Sequence, residues 1–191
     1  MSDRRFVIER ARPEEAAALL DYLKIIGGET DNLSFGAEGV PLSLAAEQDY
    51  LRTQCDSTDH AQYFAKVDGE IIGTASLNRR ANRMSHRGVF GISLKKAWWG
   101  CGAASALTEA ILAFARENGV EQLDLEVRSS NARAIHLYEK YGFRKLCTFP
   151  DFFKIHGKTI DFDLMNLALN PADDQAVRNT LHPTSSTNTG C

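Results

Sequence analysis

Hydrophobic residues recur along this chain at two different periods, and the change of period marks out strands and helices. Phe6 and Ile8 alternate with Val7 and Glu9, so residues 6–11 predict a strand. Pro13 then opens a helix at its first position, and Gly27-Gly28 closes it. Residues 29–42 hold Gly, Asn, Pro and acidic residues and predict a loop, after which Ser43 caps a second helix through about Gln54. Residues 62–67 and 71–78 predict two strands, joined by Asp68-Gly69 in the chemistry of a tight hairpin. Gly88 to Leu94 is a third strand, running into a glycine-rich turn.

From Ala103 to Asn118, the residues Ala104, Leu107, Ile111 and Phe114 recur at helical spacing, and Gly119 ends the run. Residues 122–127 alternate again, with Leu123, Leu125 and Val127 on one face and Asp124, Glu126 and Arg128 on the other. Ser130 or Asn131 caps a short helix reaching Tyr141, stopped by Gly142. Two extended runs follow, 145–155 and 159–169, separated by His156-Gly157-Lys158. The order β-α-α-β-β-β-α-β-α-β-β predicts an α/β fold of mixed α+β character: one mixed sheet with helices on both faces. Its first half is antiparallel, and the strand-helix-strand unit across the glycine turn is parallel and right-handed.

Composition bounds this picture without altering it. At 191 residues the chain predicts one domain, residues 1–170, large enough to fold without disulfide or metal. Residues 171–191 are polar and predict a disordered tail. A net charge of −3 argues against nucleic acid as a partner. No apolar run is long enough to span a membrane, and the first residues lack the apolar stretch of a signal peptide. Cys55, Cys101, Cys147 and Cys191 have no metal-ligand or disulfide spacing, so the expectation is reduced thiols, no metal and a cytoplasmic protein.

The candidate chemistry begins at Trp98-Trp99-Gly100-Cys101-Gly102-Ala103-Ala104, between strand and helix. Backbone N–H groups at a helix N-terminus converge there on one point, the arrangement that holds a phosphate or pyrophosphate. The same turn loosely fits a dinucleotide fingerprint, which is unspecific by itself. Three stretches resolve the ambiguity. Asn131 with Ala134, Tyr138 and Gly142-Phe143, one strand after the turn, closely resembles the GNAT superfamily of N-acetyltransferases. Trp99-Gly100-Cys101-Gly102-Ala103-Ala104 resembles that family's acyl-CoA pyrophosphate loop, and Lys158 to Met165 is similar to its last hairpin. The resemblance runs from about Phe6 to Leu169 and implies a GNAT-like fold, with six to seven strands flanked by about four helices.

That resemblance implies acetyl-CoA as cosubstrate and an amine, on a small molecule or a protein, as acceptor. The pyrophosphate would sit on the N–H groups of Gly100, Cys101, Gly102, Ala103 and Ala104, with Trp99 covering the pantetheine or adenine. The pantetheine arm would run along Ile92-Ser93-Leu94 as an added strand, and the N–H near Ile92 would donate to the thioester oxygen. Asn131 matches the family position beside the CoA arm and equally suits a helix N-cap. Tyr138 matches the residue that protonates the departing thiolate; a phenol, with an ordinary pKa near ~10, is available as an acid at neutral pH. Tyr141 suits packing, and His86 and His136 suit the surface.

Two departures stand out. Trp99 replaces the family's usual Gln or Arg, which moves the grip onto backbone N–H groups. The strand before the turn reads Val89-Phe90-Gly91 where a basic Glu is common, which leaves Glu126 or a water chain to take the amine's proton. Cys101, at a helix N-terminus, is either a reactive thiolate or a small loop residue. The carboxylates of the 29–38 loop offer an attraction for a cationic acceptor. Other functions stay open: a CoA-binding sensor that has lost catalysis, or a nicotinamide-dependent oxidoreductase with Glu126 as its ribose-binding acid. The terminal strands offer a surface for a homodimer.

Overall fold

A computed structural model describes residues 5–169; the 171–191 tail, expected to be disordered, lies outside the described residues. The strands are β1 (Val7–Arg10), β2 (His60–Val67), β3 (Glu70–Arg79), β4 (Arg87–Leu94), β5 (Gln122–Arg128), β6 (Arg144–Ile155) and β7 (Lys158–Ala168). The helices are α1 (Ala16–Glu29), α2 (Leu44–Cys55), α3 (Ala103–Glu117) and α4 (Ala132–Lys140). They form one seven-stranded sheet in the order β1-β2-β3-β4-β5-β7-β6. Its single parallel pair is β4 with β5; every other neighbour is antiparallel. A dinucleotide-binding fold needs a run of parallel strands around the glycine turn, so the oxidoreductase reading fails on the sheet.

Side-chain alternation builds a core on each face. Ala75, Leu77, Phe90, Leu123 and Leu125 face α3, whose Leu107, Ile111 and Phe114 are buried against them. Across the sheet Phe64 and Ile71 meet Leu19, Tyr22 and Ile26 of α1 and Leu51 of α2. Ser43 caps α2 as expected, its side chain accepting from Ala46 N. The expected stop at Gly27-Gly28 is not one: α1 continues through both to Glu29. A Cβ at Gly27 would collide with the Gly36 carbonyl, so this glycine admits the close passage of the 30–42 segment over the helix. Among the described residues no helix is long and apolar enough to cross a membrane.

Candidate active site

The site begins where two strands part. β4 and β5 pair only from Arg87 opposite Gln122 to Val89 opposite Asp124, although β4 continues to Leu94 and β5 to Arg128. β5 stays paired with β7 along its whole length, so a wedge opens between β4 and β5. Lys95 N donates to Ile72 O on the β3 side. Peptide groups alternate direction along a strand, so those of Ile92 and Leu94 face the wedge. The side chain of Ser93 takes the opposite face of the sheet, its hydroxyl 2.9 Å from that of the buried Tyr22. Burial holds the Tyr22 phenol well above its ordinary pKa and therefore protonated.

The glycine turn closes the wide end of the wedge. Lys96–Trp98 form one 3-10 turn, and Gly100 (φ 80°) and Gly102 (φ 90°) then take left-handed conformations, Gly102 as the N-cap of α3. A Cβ at either glycine would meet nothing within 4 Å, so backbone conformation, more than room, calls for glycine here. No side chain caps the helix, which leaves the N–H groups of Ala103, Ala104 and Ser105 without intrahelical partners. Trp99 ties the turn to the strand, its Nε1–H donating to Leu94 O at 2.9 Å. The Arg133 guanidinium lies 4.7 Å from the centre of the Trp99 ring. Trp99 thus packs within the protein and brings a cation of α4 to the turn. Cys101 is half-buried against the α3 core.

α4 supplies the next groups. Asn131 is its N-cap, Oδ1 accepting from Ala134 N at 3.3 Å. One and then two turns on, Ala134 and Tyr138 face inward. The Tyr138 ring stands edge-on to Phe90 of β4, with centroids 6.1 Å apart, and leans on Phe143 at 5.8 Å. Burial raises the pKa of its phenol far above the ordinary value, so it keeps its proton. Tyr141 instead fastens α4 to α3, its hydroxyl 2.7 Å from Glu109 Oε1 and 3.2 Å from Ser105 O.

The polar face of β5 divides in use. Asp124 is buried and clamped by Arg87, Nε to Oδ2 at 2.9 Å, and by Asn166 Nδ2 at 2.9 Å. Glu126 is exposed and, with Val89, Phe90 and Leu164, lines a cavity of about 250 Å³ where the wedge begins. A second cavity of about 300 Å³ lies on the α1 and α2 face of the sheet, under Leu33 and Phe35 of the 30–42 segment and against Gly91 and Ser93 of β4. Arg128 Nη1 reaches Asp31 O at 3.4 Å, joining that segment to β5. The loop carboxylates expected to attract a cation are partly engaged: Glu29 accepts from Lys96 N at 2.6 Å and Glu38 from Gly36 N at 2.8 Å. The Gly36 N–H, with the backbone N–H of Glu38 itself, holds the Glu38 carboxyl below the usual range. The carboxylate that does line this cavity is Glu47 of α2.

The model of the acetyltransferase (GNAT) family matches residues 34–143, more than half of the chain. The chain belongs to the GNAT acetyltransferase family. An acetyltransferase of this GNAT family from Streptococcus pneumoniae superposes with a TM-score of 0.83 at 29% identity, covering 86% of this chain and 99% of that one. The Salmonella typhimurium protein yncA, solved with its cofactor acetyl-CoA, superposes at 0.76 and 18% identity over 87% and 95% of the two chains. By sequence, an L-amino acid N-acetyltransferase of Escherichia coli K12 is 32% identical over 103 residues, 52% of this chain and 63% of that protein. The human N-acetyltransferase 8B is 25% identical, over 61% of this chain and 52% of its own length. The chain thus spans under two thirds of both of these relatives.

Within the GNAT frame, the expected residues Ile92, Ser93, Leu94, Trp99, Gly100, Cys101, Gly102, Ala103, Ala104, Asn131 and Tyr138 fall along β4, the turn, the start of α3 and α4. Glu126 stands apart from the turn, at the narrow end of the wedge. Sequence reasoning missed Arg133 and Glu47. Arg133 was legible as a cation two residues after the Asn131 cap. Glu47 was legible in its spacing to Leu51 and Gln54, which places a carboxylate on the inward stripe of a helix.

Proposed function

We propose that this GNAT protein transfers an acetyl group from acetyl-CoA to a primary amine by direct attack. The parting of β4 and β5 beside the uncapped N-terminus of α3 carries this reading. It leaves strand-edge peptide groups and helix N–H groups in one continuous path, as a long ligand with amides and a pyrophosphate requires. Acetyl-CoA, when bound, supplies the thioester carbonyl that the amine attacks.

Each residue then has a defined task. The N–H groups of Gly102, Ala103 and Ala104 hold the pyrophosphate, and Arg133 adds a positive charge beside them. Trp99 already occupies the Leu94 carbonyl, so the pantetheine amides pair with Ile92 and the Leu94 N–H. The Ile92 N–H donates to the thioester oxygen as charge develops on it. Tyr138 keeps its proton until the thiolate departs and then supplies it. Glu126, exposed at the cleft, takes the amine's proton through water. Asn131 keeps its capping bond through Oδ1, which leaves its Nδ2 donors to the CoA arm.

Thiol release from acetyl-CoA over a broad panel of amines tests the proposal, with release expected for at least one amine class. Tight acetyl-CoA binding with silence over the whole panel favours the sensor reading instead. That alternative draws on the stretch Val89-Phe90-Gly91, which carries no Glu where the family often has one.

A further inference from the structure

The cavity under residues 30–42 contains an ionisable group that the scheme above does not use. Five charged residues are buried among the described residues: Glu47, Lys66, Lys95, Asp124 and Asp163. Lys66 pairs with Glu9 at 2.8 Å and with Glu15, Lys95 with Glu70 at 2.6 Å, Asp124 with Arg87, and Asp163 with Lys145 at 2.8 Å. Glu47, only 2% exposed, is the exception: among the described residues no cation lies within ion-pair distance of it. Burial raises the pKa of its carboxyl, with no hydrogen bond or opposite charge acting the other way. A buried charge is retained when something pairs with it. The protein itself supplies no partner here.

The surroundings narrow what that partner is. The cavity walls around Glu47 are mainly apolar, with Leu19, Leu23, Leu33 and Phe35 among them, and no Lys, Arg or His lines the space. Gly91 and Ser93 of β4 form part of the same wall, and at Gly91 no side chain fills the space on this face. A volume of about 300 Å³ suits a small molecule. We propose that Glu47 receives the acceptor, a small primary amine with an apolar body and no carboxylate, as its ammonium; the nitrogen then gives one proton through water to Glu126 and attacks as the neutral amine. One cation satisfies Glu47 and the hydrocarbon body covers the apolar walls. A free carboxylate or a second ammonium would enter this cavity without a counter-charge. The inference rests on the acetyl-transfer reading and goes further, in naming the acceptor class.

The test compares phenylethylamine, L-methionine methyl ester, L-methionine and spermidine by thiol release at saturating acetyl-CoA, with wild type and Glu47→Gln. Phenylethylamine and the ester are expected to be turned over, with kcat/KM about tenfold or more above free L-methionine and spermidine. Glu47→Gln is expected to raise KM for the ester about tenfold while calorimetric acetyl-CoA affinity holds and the melting temperature does not fall. Free L-methionine matching its ester, spermidine preferred, or an unchanged ester KM in Glu47→Gln would each overturn the proposal. The wild-type comparison of acid with ester decides the matter even if the variant does not fold. Acetyl-CoA binding with no turnover of any of these amines overturns the acceptor class alone; absent acetyl-CoA binding overturns the acetyl-transfer reading itself.

Discussion

The two ends of the proposed ligand path are built from different materials. On the cosubstrate side, the polar groups offered are mostly main-chain, the strand edge at Ile92 and Leu94 and then the N–H groups that open α3, with Arg133 and Asn131 of α4 beside them. On the acceptor side they are side chains of separate elements, with Glu47 from α2, Gln62 and Thr74 from neighbouring strands and Ser93 from β4. A main-chain site recognises what every acyl-CoA shares, and it depends on glycines and helix ends. A side-chain site can change its ligand by single substitutions while the frame stays in place. On this proposal the shared chemistry lies along the β4–β5 gap and the start of α3, and the variable specificity on the α1 and α2 face of the sheet.

The largest effect that would sharpen this comparison is expected at Tyr138, which serves the reaction and neither ligand's affinity. Tyr138→Phe keeps the ring against Phe90 and Phe143 and removes only the hydroxyl. We expect kcat to fall about a hundredfold, with acetyl-CoA affinity unchanged by calorimetry; unaltered turnover would remove Tyr138 as the acid. Arg133→Ala should act on the cosubstrate side alone. Its expected result is a several-fold weaker acetyl-CoA Kd at low salt, with the gap to wild type shrinking as salt rises. A salt-independent loss would point to the Trp99 contact in place of the charge.

Stability separates the two sides more gently. The carboxyl of Glu47 has its pKa raised in the folded protein, so folding is favoured when the group is protonated and loses that advantage as pH rises through the raised value. Glu47→Gln should therefore melt at an equal or higher temperature than wild type at neutral pH, the difference closing as pH falls toward the ordinary carboxylate range. A variant that melts lower at neutral pH would reveal a partner for Glu47 inside the protein. The smallest effect is expected at Cys101: Cys101→Ser should leave turnover nearly intact, because the direct transfer proposed uses no enzyme thioester.

What could be read from the chain follows the same division. Local chemistry was legible: Asp68-Gly69 as a hairpin, Ser43 and Asn131 as caps, the glycine turn and the inward Tyr138 are all set by neighbours in sequence. Gly27-Gly28 misled because a glycine that ends a helix and one that admits a crossing backbone look alike until the crossing segment is seen. The point at which β4 leaves β5 was not legible, since both strands continue their alternation past Val89 and Asp124. Asp124 and Glu126 share a face and a charge, yet Arg87 and Asn166 enclose one while the other meets solvent. Such differences arise between elements far apart in sequence.

The central claim is that the open strand edge and the uncapped start of α3 form an acyl-CoA site. Titrating acetyl-CoA into wild type and Gly102→Val by calorimetry tests it most directly. A valine at a φ of 90° must move the backbone out of the left-handed region and with it the N–H groups that follow. The account predicts saturable binding to wild type and binding at least about tenfold weaker in a folded Gly102→Val. Absence of binding to wild type at millimolar acetyl-CoA, or equal affinity in the variant, would contradict it.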